Sequence, residues 1–298
     1  MKIAIIGAGS IGLLFAGYLG KKHAVTIIPR REEQCAQLEK EGISIVMEGN
    51  KCFKTIVKSN IGYESLNEQD LVIVAVKQYH LPNIKPILVD LKHTIPLLFL
   101  QNGMGHIEIL KDLNSKTILV GTVEHGALKV NDYTVKHNGI GQTNIAMYKG
   151  ESSIIDSLVS YNIASFPFCQ QYNWEKMLVK KLMINAIINP LTAVLKIKNG
   201  QLITNSFYLS LLKEYFLELF SVFSFMDKQL VFEEILKICR NTSENKSSML
   251  NDILHNRKTE IDAILGYILE RAKSQKIQLP ITKILFQMVK GMEGGSGE

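Results

Sequence analysis

Short apolar runs, each closed by glycine or a charged residue, organise the first half of the chain. The first, Lys2-Ile-Ala-Ile-Ile-Gly7, is rich in β-branched residues and predicts a strand buried on both faces. Leu13–Leu19 is apolar almost throughout and predicts a buried helix. Ala24–Ile28, Asp70–Val76, Ile95–Leu100 and Thr117–Gly121 repeat the strand pattern, with room for helices between them. That alternation predicts an α/β domain on a mostly parallel sheet. Residues 43–47 and 53–57 read as two short strands around Glu48-Gly49-Asn50, an excursion that a plain doubly wound sheet lacks. Thr134-Val135, Thr143–Met147 and Ala164–Phe168 predict further strands, with a helix over 152–161.

Near residue 170 the period changes. Glu175–Lys196, Phe207–Phe225, Val231–Arg240, Ser247–Leu254 and Thr259–Lys273 carry helical spacing, and tight glycine turns nearly vanish. The expected organisation is an α/β domain over 1–168 followed by an all-helical domain over 169–298. An apolar helical face such as Phe216, Leu219, Phe220 and Phe223 is expected inside the second domain or against a second subunit of a homodimer. Gly294–Gly297 reads as a tail.

The first of these helices carries a polar stripe. Lys181, Asn185 and Asn189 fall at i, i+4 and i+8 on one face, surrounded by Leu178, Val179, Leu182, Met183, Ile184, Ala186, Ile187 and Ile188. A helix so apolar is buried, and burying an amide without a partner costs roughly 2–7 kcal/mol, a charge more. The stripe therefore predicts a ligand or a polar network. For Asn189, which precedes Pro190, a role in ending or kinking the helix competes with ligand contact.

Composition narrows the function. Of 298 residues, 46% are hydrophobic and 21% charged, as in globular proteins large enough for two cores. The net charge of +6 comes from scattered Lys and Arg residues rather than a basic run, which argues against a nucleic-acid partner. Cys35, Cys52, Cys169 and Cys239 form no C-x-x-C pair, so neither a metal site nor a disulfide framework is expected. No uninterrupted apolar run approaches the ~18 residues of a bilayer span, and the N-terminus enters a strand directly. A cytoplasmic protein with no membrane partner is the expectation.

The glycine turn carries the cofactor chemistry. Gly7-Ala8-Gly9-Ser10-Ile11-Gly12 is a G-x-G-x-x-G motif between a predicted strand and a predicted helix, the context expected of a dinucleotide-binding turn. Gly7 permits the turn, Gly9 lets backbone approach a pyrophosphate at the helix N-terminus, and Gly12 lets helix and strand pack. After the second strand, where NAD enzymes usually place an acidic residue, stand Arg30 and Arg31, whose guanidinium groups suit a 2′-phosphate. NADP (NADPH) is the expected cofactor, with Arg30 the better placed; the alternative is that both arginines merely begin a solvated helix. Lys77 and Asn102 sit at carboxyl ends of predicted strands, where ligands of open α/β sheets lie. Either could instead satisfy loop carbonyls. His125, just past another strand, reads as an acid/base group or an ordinary loop histidine.

Taken together, Gly7–Gly12, Asn102-Gly-Met-Gly105, Lys181-Leu-Met-Ile-Asn185, Ile188-Asn-Pro-Leu-Thr192, Asn245-Lys-Ser-Ser248 and Lys258-Thr-Glu260 resemble the ketopantoate reductases. The resemblance implies a Rossmann-type domain, then a helical domain like that of 6-phosphogluconate dehydrogenase, with an active site in the cleft between them. It implies NADPH-dependent reduction of ketopantoate to (R)-pantoate, on the route to pantothenate and coenzyme A. It also implies roles: Lys181 the general acid, Glu260 a carboxylate near the substrate hydroxyl and that lysine, and Asn102, Asn185, Asn189, Ser248 and Asn245 the substrate-holding groups. Lys77 is similar to a lysine near cofactor and substrate, Arg30 to the reader of the 2′-phosphate. Without the resemblance, Glu260 reads as a solvated carboxylate in the first turn of a helix. Reduction of another 2-keto or 3-hydroxy acid, or silent NADPH binding, are the alternatives.

Overall fold

The computed structural model describes residues 1–47, 49, 51–151, 153–161 and 163–294. Two of the three residues of the turn expected at 48–50, the first residue of the helix expected at 152–161, and the last residues of the expected tail lie outside them. The chain divides into two compact units: Met1–Gln101 with His106–Met177, and Asn102–Gly105 with the chain from Leu178 onward.

Among the described residues the first unit holds twelve strands: β1 (Lys2–Ile6), β2 (Ala24–Ile28), β3 (Ile43–Met47), β4 (Cys52–Thr55), β5 (Lys58–Ser59), β6 (Leu71–Val74), β7 (Leu97–Phe99), β8 (Ile118–Val123), β9 (Gly126–Lys129), β10 (Thr134–Gly139), β11 (Thr143–Lys149) and β12 (Phe168–Gln171). Eight form a sheet in the order β12-β11-β8-β7-β6-β1-β2-β5. Every pair from β5 to β8 is parallel, and only β11 runs antiparallel to its neighbour β8. Ile3, Ala4, Ile5 and Ile6 are buried because β1 lies mid-sheet, which accounts for its continuous apolar sequence. The excursion at 43–57 becomes half of a second sheet, β4-β3-β10-β9. Helix α1 (Ser10–Leu19) packs against strands of both sheets, so it is apolar on every side.

The other helices of this unit are α2 (Glu32–Glu41), α3 (Leu81–Val89), α4 (His106–Leu110) and α5 (Ser153–Val159). β9 was not anticipated, and the strand expected over 164–168 instead runs 168–171. Its apolar signal came from Phe166, which serves the core rather than a ladder. Phe166 stacks on Tyr18 (centroids 4.5 Å apart) and meets Phe15 edge-on at 4.9 Å.

The second unit is built from α6 (Trp174–Leu195, its first turn counted with the first unit), α7 (Gln201–Thr204), α8 (Ser206–Val222), α9 (Lys228–Asn241), α10 (Ser248–Leu254), α11 (Tyr267–Ser274) and α12 (Pro280–Gly294). Side chains cap several of them: Asn173 accepts from Lys176 N, Asn205 from Phe207 N and Tyr208 N, Asp227 from Leu230 N, and Ser247 from Leu250 N. α12 had no counterpart in the sequence reading. Its N-terminus is held from α8, where Glu218 accepts from Ile281 N (2.8 Å), Thr282 N (2.7 Å) and the Thr282 hydroxyl (2.7 Å). Phe216, Leu219 and Phe223 are buried within this unit and Phe220 is half-buried. Among the described residues one helix, α6, is long and apolar enough to cross a membrane by composition, and 72% of its apolar window is buried inside the protein.

Candidate active site

In the first unit, the strand order reverses at β1, flanked by β2 and β6. Ligands of open α/β sheets lie outside the carboxyl ends at such a switch point. All of the expected cofactor residues of this unit follow those three strands. Gly7–Gly12 follows β1, Arg30 follows β2 and Lys77 follows β6. Gly7 has φ +107°, and a Cβ there would lie 2.9 Å from Val76 N, so the turn needs glycine to pass the end of β6. A Cβ on Gly12 would stand 1.8 Å from Gly7 O, which only glycine avoids. Around Gly9 a Cβ meets nothing within 4 Å.

Gly9 is also the N-cap of α1, whose first turn carries no acidic residue and no side-chain cap. Its first amides therefore retain donor capacity toward an anion, aided by the helix dipole. The turn is braced from outside: Gln34 donates to Ala8 O and to Asp132 O, each at 2.9 Å, and Lys129 N donates to Ser10 Oγ at 3.1 Å. Gln34 had no signal in the sequence, since a glutamine in an exposed-looking helix resembles many others.

The two arginines separate clearly. Arg31 is the N-cap of α2 and pairs with Asp132 at 2.5 Å, while Lys129 reaches the same carboxylate at 2.8 Å. Those bonds, Lys129's first, hold the Asp132 carboxyl below its ordinary range. Arg30 is exposed, and among the described residues it has neither an ion pair nor a side-chain hydrogen bond. Of the two guanidinium groups, that of Arg31 is thus the one committed to a protein carboxylate. Lys77 is half-buried just past β6, its Nζ 5.9 Å from the centre of the Tyr79 ring.

The substrate-side candidates belong to the second unit, and so does Asn102, because Asn102–Gly105 clusters with the helices. Gln101 anchors the approach by donating from Nε2 to Val74 O and Val76 O, each at 2.9 Å. Asn102 then donates from Nδ2 to Glu260 Oε2 at 2.9 Å. Glu260 stands in the first turn of a helical segment, as its sequence position suggests, yet it is half-buried and bonded rather than solvated. The following turn, Asp262–Gly266, is π-helical, a local widening frequent at functional sites. Gly103, at φ +79°, lies so close to it that a Cβ would come within 2.2 Å of Ala263 O.

On α6 the stripe is graded: Lys181 and Asn185 are half-buried and Asn189 is buried. Among the described residues, neither the Asn185 nor the Asn189 amide bonds to another protein group. The helix passes through Pro190 to Leu195, so Asn189 does not end it. Three residues after Asn189 the Thr192 hydroxyl is bonded to Ile188 O (2.6 Å) and to the Ser247 hydroxyl (2.8 Å). Ser247 is therefore structural, buried and capping α10. Ser248 beside it is exposed at the first position of that helix, and Asn245 is exposed in the preceding turn.

His125 lies in the two-residue loop between β8 and β9. It is buried, and its Nδ1 accepts from His137 Nε2 and Gly141 N, both at 3.2 Å. His137 in turn bonds Tyr18 through Nδ1 at 2.8 Å. Burial, with His137 adding repulsion, pushes the His125 pKa down to about 4, which keeps the ring neutral.

With this arrangement in view, the known proteins it resembles become informative. Two family models, ketopantoate reductase PanE/ApbA and its C-terminal part, match residues 3–150 and 173–293. The chain belongs to the ketopantoate reductase family. The 2-dehydropantoate 2-reductase of Bacillus subtilis is 39% identical over 295 residues, 98% of this chain and 98% of that one. A crystal structure of the probable 2-dehydropantoate 2-reductase from Bacillus subtilis superposes with a TM-score of 0.90 at 38% identity, covering 98% of this chain and 100% of that chain. A D-mandelate dehydrogenase solved with NADH and anilino(oxo)acetate shares the fold at TM-score 0.88 and 23% identity, covering 99% of each chain. The Rossmann-type first domain and helical second domain are those of the family, and the chain is an NADPH-using oxidoreductase of this class.

Proposed function

We propose that this chain reduces 2-dehydropantoate to (R)-pantoate in pantothenate and coenzyme A biosynthesis, with Lys181 as the general acid. The observation that carries the assignment of residues is the hydrogen bond from Asn102 to Glu260, which joins two motif residues 158 positions apart. The cofactor, when bound, supplies the hydride. Gly7–Gly12 offers it backbone amides and Arg30 a guanidinium for the 2′-phosphate, with Lys77 nearby at the switch point.

Lys181 polarises the ketone oxygen and delivers a proton to it as negative charge develops. Asn185 and Asn189, amides without a partner among the described residues, donate to the substrate's oxygens, and Ser248 and Asn245 meet its carboxylate from the start of α10. Glu260, held by Asn102, orients the substrate hydroxyl and the lysine. A homodimer belongs to the same reading, supported by an apolar groove lined by Phe216, Leu217 and Phe232 on α8 and α9; sedimentation tests it.

The decisive experiment follows NADPH oxidation with ketopantoate, with a panel of other 2-keto acids, and with NADH in place of NADPH. Fastest turnover with ketopantoate and NADPH is expected. Preference for another keto acid would reassign the substrate, and tight NADPH binding without turnover would mean a non-catalytic protein.

A further inference from the structure

The last helix reaches back to the residues that flank Glu260. Glu293 Oε1 accepts from Thr259 N at 2.7 Å and from the Thr259 hydroxyl at 2.6 Å. That same hydroxyl oxygen accepts from Ile261 N at 3.1 Å. The other Glu293 oxygen, Oε2, is held by Lys290 at 3.0 Å, and Lys290 also reaches Asp262 Oδ2 at 3.1 Å. Residues 259, 261 and 262 are thereby tied, directly or through one hydroxyl, to two side chains of α12, and Glu260 lies between them.

The Glu293 side chain is only 11% exposed, so its charge is withdrawn from water for these bonds. Thr259 alone would cap the start of the helical segment, because threonine is a sufficient N-cap. What the added carboxylate contributes is a fixed backbone on both sides of Glu260. From that fixed backbone the side chain of Glu260 accepts from Asn102 Nδ2 at 2.9 Å. A displacement of about 1 Å in a reacting group can lower a rate ~10²-fold, so rigidity here has a catalytic consequence.

We propose that Glu293, acting through Thr259, is a positioning residue that sets the placement of Glu260 for the reduction. The inference rests on the proposed role of Glu260 in that reaction. It assigns the C-terminal turn of α12 to the working of the enzyme rather than to packing alone.

The test is a double-mutant cycle in the full-length protein: E293Q, E260Q and E260Q/E293Q, with kcat for ketopantoate, KM for NADPH and thermal unfolding measured for each. The expected result is a fall in kcat of about tenfold or more for E293Q with KM for NADPH unchanged. In the E260Q background the same substitution should change kcat no further. T259V should repeat the loss and T259S recover most of it, which keeps the question open to test if E293Q does not fold. An equal loss in both backgrounds would overturn the proposal in favour of a structural role, as would wild-type kcat in folded E293Q. E260Q with wild-type kcat would instead remove the role of Glu260 on which the proposal rests.

Discussion

Asn102 Nδ2 and Glu260 Oε2 lie 2.9 Å apart, and the contact depends on the glycine that follows Asn102. Gly103 holds φ +79° and brings the backbone against the π-helical turn at Ala263. An alanine there meets the left-handed penalty of about 1–2 kcal/mol and a Cβ 2.2 Å from Ala263 O. The G103A protein should unfold at lower denaturant concentration and turn over more slowly, with NADPH affinity, measured by fluorescence titration, retained. Unchanged kcat would mean that the Asn102–Glu260 contact is irrelevant to catalysis.

Lys181 is the proposed proton donor, and general acid–base groups contribute ~10²–10⁴-fold. K181A should lose kcat by about that range while still binding NADPH, because the glycine turn and Arg30 belong to the other unit. Steady-state kinetics and a direct binding titration separate the two quantities.

Arg30 and Arg31 are neighbours, Arg31 paired with Asp132 and Arg30 the proposed reader of the 2′-phosphate. R30A should weaken NADPH binding by about 10–100-fold, the worth of a charge-assisted bond of roughly 1.5–3 kcal/mol, and leave NADH binding nearly unchanged. R31A removes a half-exposed pair with Asp132 and should change NADPH affinity little. Equal losses for the two cofactors in R30A would disprove the phosphate-reading role.

Two buried histidines give the fold an acid-sensitive side. His106 is fully buried with neither ring nitrogen partnered among the described residues, and burial pushes its pKa from 6.5 to about 4; His125 reaches about 4 as well. As pH falls below 6.5 the unfolded chain takes up these protons first, so stability is complete above that pH and declines toward 4. The decline should be at most about 1.4 kcal/mol per pH unit for each ring. H106L should flatten this dependence and, by removing unpaired buried nitrogens, be neutral or stabilising near pH 7. Urea unfolding at several pH values measures both effects.

How much of this was legible beforehand follows from the range of the forces involved. Apolar periodicity marked β1, β2, β6, β7, β8 and α6, because burial on both faces of a central strand, or around a whole helix, leaves an unbroken local signal. The glycine turn was legible for a similar reason: strand, turn and helix N-terminus are contiguous in the chain, so their geometry is written locally. The polar stripe of α6 was visible as a violation of its apolar surroundings.

Other features were decided by contacts between distant segments. β9 and α12 lacked a strong local pattern, and α12 starts where Glu218 on another helix accepts its amides. Phe166 imitated a strand because the core, not a ladder, required it. The local reading of Glu260 as a solvated carboxylate was reasonable, since nothing nearby in sequence reveals Asn102 as its donor or Glu293 as the anchor of Thr259. Nor could Arg30 be told from Arg31 with certainty until Asp132, about a hundred residues on, was seen to hold Arg31. Local hydrophobic pattern and backbone chemistry thus determined which elements form and where the glycine turn at the switch point falls. Side-chain hydrogen bonds across long sequence separations, which only the folded chain brings within 3 Å, decided which charged residues are held in place and which are left to meet a ligand.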